Sequence, residues 1–252
     1  MTDLFRALSA ELLKTRRTLA LVLTILTPLS LAFLEVAIGF DAGTRMYRVG
    51  GDSWMTLINH TSLLWTLLLL PLFITLEMGL LGAQEHNNQT WKYLYTLPLP
   101  RWTVYMAKQI IGMGVIGLSM IVLGLMTIGV GLIGRVFLPR LGFDAPIPLM
   151  ALAQNLFLSY FASWLMISIH IWISLRWNSF VLAMAAGIVP TVCGVVMLNS
   201  RWVDYDPWLM PGVVAHGLAE SLPFTLALIL GIVGGVVIAL LGCWATTQRD
   251  IF

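Results

Sequence analysis

Residues 222–246 read LPFTLALILGIVGGVVIALLGCWAT, and no Asp, Glu, Lys, Arg or His interrupts them. About 20 apolar residues suffice to cross the hydrocarbon core of a bilayer. Five similar stretches precede this one, at about 19–40, 55–82, 104–134, 149–175 and 179–198. None has an ionisable residue near its middle. The composition agrees, with 59% hydrophobic and 10% charged residues and a mean hydropathy of +0.89. The expected fold is an all-α polytopic membrane protein with six transmembrane helices. In a chain of 252 residues the loops are too short for a separate soluble domain, so residues 1–252 read as one transmembrane domain. Pumps driven by protons or ions usually place Asp, Glu, His or Arg at mid-depth. The energy for any transport is therefore expected from elsewhere.

Working outward to the N-terminus, residues 1–18 read as an amphipathic interfacial helix. Leu4, Phe5, Leu8 and Leu12 recur at helical spacing, with Asp3, Arg6 and Lys14 on the other face. Lys14, Arg16 and Arg17 precede the apolar run from Leu19, as in a signal peptide. The basic cluster comes late, however, and Glu35 stands where a small-residue cleavage site belongs, so an uncleaved first span is expected.

Orientation follows the basic residues. With the N-terminus inside, Arg6, Lys14, Arg16, Arg17, Lys92, Arg101, Lys108, Arg176 and Arg249 face the cytoplasm. Arg45, Arg48, Arg135, Arg140 and Arg201 face out, a ratio of nine to five that puts both termini in the cytoplasm. Cys193 and Cys243 fall at different depths and are not expected to pair. Glu35, Glu77 and His170 fall towards the ends of their spans, where each is expected to reach water or a headgroup. The third span is longer than a bilayer core requires, so it tilts, extends beyond the core or breaks at its glycines. Residues 199–221 are mildly apolar but too short to span. They read as short outer helices dipping back into the leaflet, or as a surface loop with an aromatic belt.

Sites of soluble chemistry are missing. Two matches to G-x-G-x-x-G, at 112–117 and 129–134, lie inside one apolar span and read as helix-packing glycines. Gly231-x-x-x-Gly235 and Ala183-x-x-x-Gly187 read the same way, as contacts within one subunit or between subunits. No G-x-x-x-x-G-K-[ST] loop occurs, so the chain is not expected to be an ATPase itself. His60, His86, His170 and His216 are dispersed and suggest no metal site. The remaining constellation lies between the second and third spans, from Glu85 to Arg101. Asn88 or Thr90 can cap a short helix. Trp91, Leu94 and Tyr95 then share one face beside Lys92, and Pro98 and Pro100 end the helix. An aromatic ridge of this kind suits a groove on a partner protein.

Taken in order, these signals resemble the permease subunit of an ABC-2 type ABC transporter over nearly the whole chain. The resemblance runs from Glu11-Leu-Leu-Lys14-Thr-Arg16-Arg17 to Glu85, Trp91-Lys92-Tyr93-Leu94, Leu97-Pro98-Leu99-Pro100-Arg101 and Tyr105-x-x-Lys108. It closes on Gln248-Arg249-Asp250-Ile251-Phe252. Chain length is similar to that of the lantibiotic- and bacitracin-resistance permeases. The resemblance implies an N-terminal elbow helix (Leu4, Phe5, Leu8, Leu12, Lys14, Arg16, Arg17). It also implies a cytoplasmic coupling helix (Glu85, Asn88, Thr90, Trp91, Lys92, Leu94, Tyr95) and re-entrant outer helices between helices 5 and 6.

The partners implied are two copies of an ABC ATP-binding subunit, a second permease subunit as homodimer or heterodimer, and the lipid bilayer, with no nucleic acid. ATP and Mg would be bound by the partner and no cofactor by this chain. The expected function is ATP-driven export of a peptide-like or amphipathic compound, such as an antimicrobial, across a bacterial cytoplasmic membrane. A sodium or multidrug export permease, a stand-alone secondary transporter, and a sensory subunit served by the same kind of motor are the alternatives. An intramembrane enzyme would need catalytic side chains gathered at one depth, and the sequence offers none.

Overall fold

A computed structural model describes residues 2–16, 18–47, 52–87 and 100–248, and these are helical with no strand. The elements are α1 (Thr2–Thr15), α2 (Leu19–Met46), α3 (Ser53–Leu64), a π turn (Trp65–Leu69), α4 (Leu70–Asn87) and α5 (Arg101–Phe137). A 3-10 turn (Pro139–Leu141) leads to α6 (Leu149–Ala162), α7 (Trp164–Arg176) and α8 (Phe180–Met197). A second 3-10 turn (Val203–Tyr205) leads to α9 (Met210–Glu220) and α10 (Thr225–Thr247).

Local chemistry sets several of these ends. The Asp52 side chain accepts from the Met55 amide at 3.1 Å and starts α3. Ser179 does the same for the Leu182 amide and starts α8. Pro211 occupies the first turn of α9, where a missing N–H costs nothing, and Ser221 ends that helix in the left-handed region at φ 55°.

Among the described residues five helical runs are long and apolar enough to cross a membrane: Leu19–Asp41, Ser53–Gln84, Arg101–Phe137, Phe180–Met197 and Thr225–Thr247. The bent pair α6 and α7 makes a sixth when it is counted as one span. Counted so, this agrees with the expected six spans, with two differences in their shape.

The span expected to be continuous over 149–175 is bent by 40° at Ser163. The Ser163 hydroxyl donates to the Tyr160 carbonyl at 2.6 Å, and its amide is shared between the Ser159 and Tyr160 carbonyls. Such back-bonding bends helices. At the bend α10 comes in close: a Cβ on Gly231 would lie 2.5 Å from the Ala162 carbonyl oxygen, and one on Gly235 would lie 2.8 Å from the Trp164 backbone. The Gly-x-x-x-Gly pair therefore serves packing within the chain.

The second difference is the π turn. The Leu70 amide donates to the Trp65 carbonyl five residues back. In a plain α-helix the ring of Pro71 would press on the carbonyl of Leu67. The wider turn moves that carbonyl away.

Of the alternatives expected for the long third span, the break at its glycines does not occur: α5 is unbroken over 37 residues. Its glycines open space rather than break the helix: Gly112 faces Met78 and Ile171, and Gly131 lies against the Trp54 ring. Trp54 in turn donates to the carbonyls of Phe143 and Ala145.

The centre of the bundle is a cluster of Trp65, Ile74, Met78, Ile116, Met166 and Ile171. Lipid is as apolar as leucine, so these side chains stabilise the fold through close contact. Each well-placed atom pair contributes about 0.1–0.2 kcal/mol. Both cysteines are free.

Candidate functional site

One end of the bundle gathers α1, the last turn of α4 and the first turns of α5. Here α1 lies against α5. Its contact face carries Ala7, Glu11 and Thr15, all buried, with Leu8 partly packed on the core. Phe5 and Leu12 are exposed, and so is Leu13. Leu4 is half-buried and Arg16 exposed. The expected apolar face is thus split, with Leu8 against the bundle and Phe5 and Leu12 turned away, and the side that meets the protein also holds a carboxylate. Glu11 Oε2 receives Lys108 Nζ at 2.7 Å, and Glu11 Oε1 receives Lys14 Nζ at the same distance. The Lys108 and Glu11 side chains are only 1% and 4% exposed, whereas Lys14 is one-third exposed.

The first turns of α5 are fixed on another side as well. Thr103 and Tyr105 are buried, and the Tyr105 hydroxyl occupies the place where a side chain at Gly242 of α10 would be. Of the expected coupling residues, Glu85 falls in the last turn of α4. Asn88, Thr90, Trp91, Lys92, Leu94 and Tyr95 lie outside the described residues, as does Arg17 of the basic cluster.

The ionisable residues of the spans do not reach water or headgroups as expected. Glu35 is buried and meets His60 Nδ1 at 2.8 Å, which ties α2 to α3. Nearby, burial and then the Glu35 carboxylate hold the Tyr47 hydroxyl above its ordinary range. Glu77 is fully buried, and among the described residues neither of its carboxylate oxygens has a hydrogen-bond partner. His170 is also buried, and its Nε2 accepts from the Trp208 indole at 3.2 Å. Gln109 of α5 donates to Ser168 of α7 at 2.8 Å. The physical reason is common to all: each of these groups sits on the face of its span that packs against other helices, so depth along the helix does not set its exposure.

That Trp208 reaches His170 shows how far the segment between α8 and α10 is drawn into the bundle. In α9, Met210, Pro211, Gly212, Val214, Ala215 and Gly217 are buried. Gly212 lies against Leu67, near the middle of the Ser53–Gln84 run. These contacts bury one face of α9, whereas Trp202 and Tyr205 before it are exposed. Burial raises the Asp206 carboxyl, while hydrogen bonds from the Trp208 and Leu209 amides pull it down.

An open apolar groove of about 690 Å³ runs between α5 and α6, lined by Gly117, Leu118, Ile121, Leu156, Phe157 and Tyr160. Nothing lies within 4 Å of a Cβ placed on Gly114 at its edge. Among the described residues no three His, Cys, Asp or Glu side chains are grouped to hold a metal ion.

Sequence reading missed Glu11 as a buried group. The signal was present: Ala7, Glu11 and Thr15 recur every four residues as a face of small side chains around one acid. No comparable signal marks the Trp208–His170 contact, which joins distant segments.

No curated protein matches the chain. Residues 7–194, well over half of the 252, do match a family model, that of the ABC-2 family transporter protein, and it takes in α1 through most of α8. Family membership implies a membrane and an ABC ATP-binding subunit as partners. With six apolar spans, a polar contact between α1 and α5, and this match along most of its length, the chain belongs to the ABC-2 family of transporters, as a permease.

Proposed function

We propose that this permease is the membrane half of an ATP-driven exporter of amphipathic or peptide-like compounds. It works as one of two permease subunits with two ATP-binding subunits, in a bacterial cytoplasmic membrane with both termini inside. ATP and Mg belong to the partner, and this chain binds no cofactor. The family match over residues 7–194 carries the reading. The arrangement of α4 and α5 supports it, since residues 88–99 join the two at the end of the bundle where α1 also docks. In this reading Trp91, Leu94 and Tyr95 enter a groove of the ATP-binding subunit, and α1 is the interfacial elbow. The buried face of α9 supports a re-entrant helix. The apolar groove between α5 and α6 suits a lipid-soluble cargo or the second permease subunit.

Co-purification from membranes tests this. Trp91→Ala with Tyr95→Ala is expected to lose the ATP-binding subunit while the permease still inserts. An unchanged complex with unchanged ATP hydrolysis would refute the assignment of that segment.

A second reading has one observation in its favour. A fully buried carboxyl without partners, as at Glu77, is the kind of group that ion-coupled carriers use. Uphill solute movement by the purified chain without an ATPase, abolished in Glu77→Gln, would establish it.

A further inference from the structure

We infer that Glu11 is a positioning residue that locks α1 to the base of α5, so that both move as one body when the ATP-binding subunit changes state. The inference rests on the reading above and adds to it a site of force transfer.

Its basis is the division of one carboxylate between two helices. Oε1 is held by Lys14 of the same helix and Oε2 by Lys108 of α5, each at 2.7 Å. Lys108 lies seven residues after Arg101, where α5 begins, which is about 10 Å along its axis. Any displacement of residues 88–99 enters α5 through those two turns. One face of them is buried and anchored, with Thr103, Ala107 and Lys108 enclosed and Tyr105 fitted at Gly242 of α10.

Sliding α1 along α5 would pull a buried ammonium from a buried carboxylate. That is costly, because a bond between two enclosed charged side chains is broken where little water reaches either of them. Small residues at Ala7 and Thr15 let the two backbones approach on either side of the pair. The contact therefore resists sliding, and motion of α5 carries α1 with it.

The test uses the complex of this chain with its ATP-binding subunit in lipid nanodiscs, with Cys193 and Cys243 replaced by serine. Spin labels go on exposed positions Ser9 of α1, Ile110 of α5 and Val181 of α8. Between the nucleotide-free and the ATP–vanadate-trapped states, the Ser9–Ile110 distance is expected to stay fixed while Ser9–Val181 changes. In Glu11→Gln the Ser9–Ile110 distribution is expected to broaden. Permease-dependent ATP hydrolysis per assembled complex should fall about 5- to 100-fold, the range of ordinary coupling between sites.

The charge-swapped double variant, Glu11→Lys with Lys108→Glu, keeps one carboxylate between two ammonium groups and should recover most of both readouts. The inference is overturned if Glu11→Gln leaves the distances and hydrolysis unchanged. It is equally overturned if Glu11→Gln fails to assemble and the swapped pair assembles without recovering either. Should the unaltered chain bind no ATP-binding subunit, the functional reading itself fails and this inference falls with it.

Discussion

Two buried glutamates, Glu11 and Glu35, each fasten one helix to another, and they do so by different means. Glu11 joins α1 to α5 through the enclosed Lys108, with Lys14 as a second, one-third-exposed partner. Glu35 joins α2 to α3 through His60, a residue that is charged only when protonated and is itself one-third exposed. The first contact is enclosed and satisfied at both carboxylate oxygens. The second leaves Oε2 of Glu35 without a partner. An enclosed pair holds its geometry because separation strands two charges. A pair with one partner near water can open at modest cost, because water takes the place of the bond. The bundle is thus clamped firmly between α1 and α5 and more loosely between α2 and α3.

Substitution can break this contrast. Glu11→Ala is expected to destabilise the chain most, by about 3–5 kcal/mol, because it removes the carboxylate from a buried lysine. Thermal unfolding in detergent would measure it, and a loss under 1 kcal/mol would make the two contacts equivalent. Glu35→Gln should cost less, about 1–2 kcal/mol, since the amide still reaches His60 and the other oxygen was already unpaired.

Replacing the buried pair as a unit, by Glu11→Leu with Lys108→Met, should fall within about 1–2 kcal/mol of the starting stability. That result would show that the pair is kept for something other than holding the fold. Lys14→Met should have the smallest effect, about 0–1 kcal/mol, because a partly exposed ion pair gains little over water.

The spans were legible because uninterrupted apolar length is itself the physical requirement for crossing a bilayer. The bend was not. Ser119 and Ser163 are both buried serines in apolar helices, and both hydroxyls bond the carbonyl three residues back. Only Ser163 interrupts its helix, and only there do glycines of α10 press on the backbone. The π turn was hidden for a related reason. Pro28 and Pro190 lie inside α2 and α8 without a comparable break, so proline alone does not forecast one.

For the candidate site, the lysines were read as topology signals and Glu11 only as part of a family pattern. Their pairing depends on how α1 folds back on a helix about 97 positions later, which no local spacing encodes. The expected aromatic ridge at Trp91 and Tyr95 lies outside the described residues, and its flanks at Glu85 and Arg101 fall at the ends of α4 and α5.

The turn at Trp65–Leu69 has a consequence for how this helix tolerates change in length. It stores one surplus residue in the middle of a span, beside a proline that keeps it there. Deleting a single position between 65 and 69 would remove the surplus and restore plain winding, which leaves Leu70 to Asn87 in nearly the same register but drives the Pro71 ring against the backbone. Thr75, Glu77 and Met78 would keep their neighbours, and the cost would fall on the backbone around Leu67. An ancestor without the surplus would have needed another residue at 71, so the proline and the extra position are expected to be gained or lost together.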